Sequence, residues 1–385
     1  MNDNIIIQKT EFNKFILVNT ITDKRLRISK QSMILFNIFN ENKTENLDFF
    51  LKKHNEISTT NIDFYTLEYN ITKFKNFISN NARFKISNHL LIHVKIIPEY
   101  LVNSIAEKIK FVVPNKVRAF YLNFITFFFI NLFFLIYLYL NSKINFLNLK
   151  NTPILSICLL TIFILHELGH AIAAKNYGSK PKEIGFGFYL LTPALYCNLS
   201  DIWKLSISKR IIVNLSGVYV QTLLSFLLIL INVFINEPLI HQLIFTNFVI
   251  IIINLNPFLK YDGYWILTDF LDSPNLRTES FHSLKLILKQ KFRGINIRAY
   301  IISLYAVLTI LFILTFIYYF VVPNFMSILF FPLELTEATY SLLTFNSNLI
   351  NFYSFLKINI LSIIFYYVII NTLLPKLIKM KKNEI

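Results

Sequence analysis

Apolar positions along this chain follow two regimes. Up to residue 95 they come in short mixed patterns that suit a small soluble fold. Phe15–Asn19 and Lys24–Ser29 read as two strands around a turn at Thr22-Asp23. Ser29 is placed to cap a helix over Lys30–Asn40, whose apolar face is Met33, Leu35, Phe36, Ile38 and Phe39. Further helical stretches fit Asn46–His54 and Ile71–Ser79, and His89–Ile97 reads as a strand. The pattern predicts a small α+β module of winged-helix type over residues 1–95, polar enough to lie in the cytoplasm, with 96–118 as a linker.

After Lys116 the pattern changes to long apolar runs: Ala119–Leu140, Pro153–Ala174, Ile211–Ile235, Leu239–Leu255, Ala299–Val321 and Leu356–Leu374. About 20 residues cross a ~30 Å hydrocarbon core, so most of these are long enough to span a bilayer. The run ending at Leu255 is short and fits a helix that breaks at Pro257 inside the protein. The expected fold is therefore mostly α: a polytopic membrane helical bundle of about six spans with the small N-terminal domain. The membrane domain covers 119–375 and a basic tail covers 376–385.

Composition agrees. Of 385 residues 55% are hydrophobic, with 40 Phe and 20 Tyr, which places the chain in the membrane class before any motif is read. The net charge of +16 is read as cytoplasmic loops facing anionic lipid, not as a nucleic-acid surface, because no polar segment alternates basic and aromatic residues. Positive residues gather between Lys175 and Arg210, between Arg277 and Arg298, and in the tail from Lys376 to Lys382. The alternate loops are poor in them: Lys143 and Lys150 in Asn141–Thr152, none in Asn236–Pro238 or Pro323–Phe355. Six spans with both termini cytoplasmic satisfy this asymmetry. Cys158 and Cys197 suggest no disulfide framework, and the start MNDNIIIQKTEF has no signal-peptide pattern. The richness in Asn, Ile, Lys and Phe suggests a bacterial source with an AT-rich genome.

The candidate chemistry lies at the end of the second apolar run. Pro153–Leu165 carries no charge and leads into His166-Glu167-Leu168-Gly169-His170. Histidines four apart on a helix are separated by about 40° and share one face. Both imidazoles can then reach one zinc ion, with Glu167 beside them as a base for water. Proteolysis inside or at the edge of a membrane is the chemistry this placement suggests. His89 and His93 share ligand-like spacing but lie in a strand-like segment without an acidic partner, and read as ordinary residues.

A catalytic zinc site takes a third protein ligand. A metzincin-like continuation fails, because Ala173 and Asn176 stand where Gly and His would be required. Up to residue 262 the remaining carboxylates are Glu183, Asp201, Glu237 and Asp262. Glu237 falls on the far side of the membrane. Glu183 and Asp201 flank a hairpin or re-entrant loop around Gly185–Pro193. Asp262 has the best context: it follows an apolar run and a helix break at Pro257, with Gly263 relieving the backbone beside it. A solvated interfacial aspartate is the competing reading.

HELGHA at His166–Ala171 on an apolar helix, together with NPFLKYDGYWILTDFLDSPNLR at Asn256–Arg277, resembles the site-2 protease family of intramembrane zinc metalloproteases, in particular its branch of peptide zinc metalloproteases. Pro193–Gln221 is also similar to that branch. The resemblance covers residues 100–300 well, the first 95 less and the last 80 hardly. It implies zinc held by His166, His170 and Asp262, with Glu167 as the base and Asn256, beside the helix break, holding substrate or oxyanion. Where the family has a Gly-Pro-x-x-Asn-like element this chain reads Gly217-Val-Tyr-Val-Gln221, which puts an Asn role there in doubt; Tyr261 replaces the commoner Leu before Asp262-Gly263. No PDZ-like insertion is evident.

The N-terminal module is similar to peptide-recognition winged-helix domains of peptide-maturation systems, and it lacks a marked basic recognition helix for DNA. The expected function is a membrane-embedded zinc metalloendopeptidase. Its partners are the lipid bilayer and a peptide or membrane-protein substrate. The reading leaves open a peptide exporter as a further partner, and a choice between a small ribosomal peptide and a membrane-anchored regulator as substrate. The alternative of another class is a catalytically idle membrane component of a peptide export or maturation system.

Overall fold

The computed structural model describes residues 5–9, 15–19, 25–41, 47–58, single residues and pairs between 67 and 77, 90–141, 152–189, 192–273, 275–289, 297–344, 348–359 and short pieces between 362 and 367. Strands β1 (Ile5–Lys9), β2 (Phe15–Asn19) and β3 (Arg25–Ile28) form an antiparallel sheet in that order. The two strands read from the sequence are β2 and β3. Strand β1 goes beyond the sequence expectation, since its Ile5-Ile6-Ile7 run lacks the polar alternation that marks a half-buried strand. Leu17 pairs with Ile7 on one side and Leu26 on the other, and is fully buried.

Helix α1 (Lys30–Glu41) starts as expected: Ser29 Oγ accepts the Ser32 N–H at 3.1 Å, which satisfies one of the free donors of the first turn. Leu35, Phe36 and Ile38 form its buried face and meet Phe50 of α2 (Leu47–Ile57) in one cluster. Phe36 and Phe74 pack edge to face, 5.1 Å between centroids. The described residues of the helical stretch expected at Ile71–Ser79 are helical. Strand β4 (Leu90–Ile97) fills the expected strand; His89 and the His93 side chain lie outside what is described.

Segment 96–118, expected as a linker, carries helix α3 (Glu99–Lys108) and a 3-10 turn at Lys110–Val112. It is tied down by amides. Asn103 Nδ2 donates to Pro181 O at 2.8 Å, and Asn176 Nδ2 donates to Val113 O at 2.8 Å and Lys110 O at 3.1 Å.

The apolar runs form helices α4 (Val117–Leu140), α5 (Thr152–Asn176), α6 (Ile207–Ile235) and α7 (Pro238–Asn254), followed by the short α8 (Asp262–Phe270). Between α5 and α6 run β5 (Ile184–Tyr189) and β6 (Thr192–Cys197), which join β4 in a sheet of order β4-β5-β6. Helix α6 is the axis on which α4, α5, α7 and α8 all pack. At 29 residues it reaches about 43 Å, longer than the hydrocarbon core, whereas α7 with 17 residues falls short of it. Further on come α9 (Leu276–Lys289), α10 (Ile297–Phe316, continued by a π turn to Val321), α11 (Phe325–Leu343) and α12 (Leu349–Ile358).

By contacts the chain divides into two units: Met1–Asn88, Val94–Phe186 and Leu195–Pro274 in one, and His89–His93, Gly187–Ala194 and Asn275–Ile385 in the other. In the second, α9 packs on α10, and the Phe331 and Phe355 rings stack at 6.1 Å.

Among the described residues four helices are long and apolar enough to cross a membrane: Val117–Leu140, Pro153–Asn176, Ile207–Ile235 and Ile297–Val321. They match four of the six expected spans. The expected span Leu239–Leu255 is the shorter α7, and Leu356–Leu374 lies mostly outside the described residues, as does the tail 376–385. Residues 324–355, left open by the sequence, are largely the helices α11 and α12. Both cysteines are free.

The turn at Ser200–Lys204 shows how the chain between α5 and α6 is braced. Asp201 Oδ2 accepts from Lys180 N–H at 3.0 Å and Ser179 Oγ at 3.1 Å, and lies 2.7 Å from Lys204 Nζ. Burial alone would raise the Asp201 carboxyl, but Lys180 N–H, Lys204 and Ser179 together hold it below its ordinary value. A carboxyl depressed in the folded state stabilises above its unfolded value of about 3.9 and loses that contribution as pH falls through the folded value. Asp201→Asn should therefore cost about 0.5–1 kcal/mol of thermal stability at pH 7. The gap to wild type should close below pH 4; a gap that persists in acid would contradict this.

Candidate metal centre

The site is built where α5 and α6 approach closely, and glycine permits the approach. A Cβ on Gly169 would stand 2.6 Å from Ser216 O, and one on Gly217 would run into the imidazole nitrogens of His166 and His170. The helical spacing of four puts both histidines on the α5 face turned toward α6. Both are buried, with ring centroids 4.8 Å apart.

Asp262 comes from the other side. Helix α7 ends at Asn254, Pro257 cannot continue it, and α8 begins with Asp262 as its first residue. The reversal is tight: a Cβ on Gly263 would collide with the Leu255 carbonyl, so glycine is required beside the carboxylate. Asp262 Oδ2 lies 3.1 Å from His166 Nε2 and Oδ1 lies 3.4 Å from His170 Nε2, while the two Nε2 atoms are 3.1 Å apart. Among the described residues, His166, His170 and Asp262 are the group of ligand-type side chains whose donor atoms lie within 4.8 Å of one another.

The outer nitrogens of the histidines decide what this cluster can hold. His170 Nδ1 is 2.8 Å from Val213 O, a carbonyl that only accepts, so the proton of neutral His170 is on Nδ1. His166 Nδ1 is 3.0 Å from Gln221 Oε1. The orientation of that amide is fixed in turn: Asn247 Nδ2 donates to Gln221 O at 3.1 Å and Ser225 Oγ at 2.6 Å, which leaves Asn247 Oδ1 to accept from Gln221 Nε2 at 3.1 Å. Both rings thus carry Nδ1–H, and two Nε2 lone pairs face each other and a carboxylate. Asp262 Oδ2 lies beside His166 Nε2 without an aligned hydrogen bond. Converging lone pairs repel unless a proton or a metal cation lies among them. Two imidazole nitrogens and one carboxylate, each histidine braced from behind, match the donor set that zinc takes from a protein while keeping a position open.

Glu167 follows His166 on α5, with His166, His170, Asp262 and the Cys197 backbone N–H of β6 as the groups around its carboxylate. The other carboxylates weighed from the sequence are used elsewhere. Glu183 accepts from Asn198 Nδ2 at 3.0 Å and Asp201 braces its own turn. Asn256 lies in the turn between α7 and α8, where its Oδ1 accepts the Phe258 N–H at 2.8 Å. Sequence reasoning placed no functional residue at Gln221 or Asn247. Their signal was present, as amides inside apolar helices, but the partner across the helix pair was not legible.

Four membrane-length helices and a buried His-His-Asp group define an integral, multi-pass membrane protein with a candidate metal centre. Among curated proteins, a stretch of 111 residues (28% of this chain) is 39% identical to "Putative peptide zinc metalloprotease protein YydH" of Bacillus subtilis (strain 168). The match covers 44% of that relative, so the chain spans less than half the length of the protein it resembles. No family model matches the chain. No solved structure matches it.

Gln221→Leu removes the acceptor behind His166 while keeping the apolar volume. Its affinity for zinc, measured by competition with a chelator on the purified full chain, should fall about 10–100-fold. Gln221→Glu, which keeps an acceptor there, should fall much less. Equal affinity in Gln221→Leu and wild type would remove Gln221 from the site.

Proposed function

We propose that this protein is a membrane-embedded zinc metalloendopeptidase of the site-2 protease type that hydrolyses peptide bonds of a membrane-associated or exported peptide. The observation that carries the reading is the convergence of His166 Nε2, His170 Nε2 and Asp262, with both Nδ1 atoms tied to acceptors on α6. The matched stretch of the curated relative, named as a zinc metalloprotease, supports the same chemistry.

Zinc held by His166, His170 and Asp262 would supply Lewis-acid activation of water and of the scissile carbonyl. Glu167 is the general base: its carboxylate takes a proton from the attacking water as the water oxygen bonds to the carbonyl carbon. It then returns that proton to the leaving nitrogen as the C–N bond breaks. The Cys197 backbone N–H of β6 is among the groups that surround this carboxylate. Substrate must be extended to expose its carbonyl, and a strand edge is the natural holder of extended chain. In the order β4-β5-β6 the middle strand β5 is flanked on both sides, so of the hairpin strands it is β6 whose edge is offered. Asn256 commits Oδ1 to its own turn, which leaves Nδ2 as the group to meet a substrate carbonyl.

The same reading places six spans with both termini in the bacterial cytoplasm. Residues 1–95 form a winged-helix-like, peptide-recognition module and 119–375 the protease domain. A peptide exporter is the partner such a module would serve. The charge distribution and the apolar helices support this arrangement.

The test compares a host carrying wild type with one carrying Glu167→Gln by quantitative peptidomics and membrane proteomics, with zinc content measured on both purified chains. Glu167→Gln should keep its zinc and lose cleavage at least about a hundredfold, so that a short peptide or membrane protein accumulates uncut. Unchanged processing, or loss of zinc in Glu167→Gln, would refute the assignment.

A further inference from the structure

Helix α8 carries the third ligand on its first residue, yet it is only nine residues long and its N-cap, Tyr261, makes no side-chain capping bond. A helix this short has little stability of its own. The orientation of Asp262 must therefore be set by contacts further along. Asp269 lies seven residues on, two turns later and within about 20° of Asp262 around the axis, so both carboxylates project from one face.

That face meets α6. Asp269 Oδ1 accepts Arg210 Nε at 2.6 Å and Oδ2 accepts Asn214 Nδ2 at 2.8 Å, so each oxygen is bound by a different α6 side chain. Arg210 is among the largest fully buried side chains of the chain, 1% exposed. Its Nη1 donates to Leu205 O at 3.1 Å, its Nη2 lies 4.0 Å from Asp272 Oδ1, and its guanidinium stands 5.8 Å from the Trp203 ring centre. Arg210, Asn214, Gly217 and Gln221 recur at spacings of four, three and four, which keeps them on one stripe of α6. The lower half of the stripe grips Asp269. The upper half accommodates the histidine nitrogens at Gly217 and braces His166 through Gln221.

We infer that Arg210, Asn214 and Asp269 are positioning residues for the metal centre. They form a buried clamp that fixes the height and rotation of α8 against α6, and so holds the Asp262 carboxylate opposite the two histidines. The clamp is about 10 Å along α8 from Asp262 and acts on the metal only through the helix. A buried ion pair adds little net stability over apolar residues of equal size, whereas its directional bonds specify one arrangement. Precise placement of Asp262 needs such a specification. The inference rests on the reading of His166, His170 and Asp262 as the zinc ligands.

Zinc affinity separates positioning from mere folding. The double variant Arg210→Met/Asp269→Leu keeps apolar volume and buries no lone charge. Asn214→Leu removes one bond and no charge, and serves where the double variant does not fold. Each is made in the full chain and purified in detergent. Zinc dissociation constants are measured by chelator competition, d–d spectra after cobalt substitution, and thermal midpoints alongside, with His166→Ala as reference. The expected result is zinc binding weakened about tenfold or more in both variants and an altered cobalt spectrum, with thermal midpoints close to wild type. Wild-type zinc affinity in a folded double variant, or in Asn214→Leu, would overturn the clamp as a positioning device. Zinc content unchanged in His166→Ala would instead overturn the metal site itself and the clamp with it.

Discussion

The structure turns on two imidazole nitrogens held 3.1 Å apart with their lone pairs facing each other and a carboxylate. With both imidazoles neutral, that arrangement is unfavourable by itself. It is imposed by the acceptors behind the rings, Val213 O and Gln221 Oε1, and by the room that Gly217 leaves between α5 and α6. A divalent cation would turn the same geometry from repulsion into ligation, which is what the proposed metal centre requires.

Helix α6 does most of this organising although it supplies no ligand. Its apolar faces pack α4, α5 and α7, while one polar stripe, Arg210, Asn214, Gly217 and Gln221, addresses the metal centre from end to end. Amides and a guanidinium inside an apolar helix must be bonded or they destabilise it, and in this stripe Arg210 Nε and Asn214 Nδ2 bond Asp269 while Gln221 bonds His166 and Asn247. Asn247 extends the same logic to α7, fixing the orientation of the Gln221 amide. The proposed peptide hydrolysis joins such a centre to a neighbouring strand, with Glu167 proposed as its base.

Much of this was legible in sequence. The helical spacing of His166 and His170 fixes their common face, and the break at Pro257 with Gly263 singles out Asp262. Both inferences are local, and local spacing is what a sequence displays directly. The bracing residues were not found, because their meaning lies in partners on other helices: Asp269 answers Arg210 and Asn214 across 59 and 55 positions, and Gln221 answers His166 across 55. In the sequence Gln221 reads only as a departure from Asn, whereas in the structure its amide reaches His166 Nδ1. Strand β1 escaped because three consecutive isoleucines show no alternation. Asn256 was assigned to substrate from its position beside the break, and the geometry gives its oxygen a local role in shaping that break.

X-ray absorption at the zinc edge on the purified full-length chain tests the account most directly. Bound zinc should show nitrogen and oxygen ligands only, including two imidazoles, with a weakened imidazole signal in His166→Ala. A chain without zinc, a sulfur ligand from Cys197, or a spectrum unchanged in His166→Ala would contradict it.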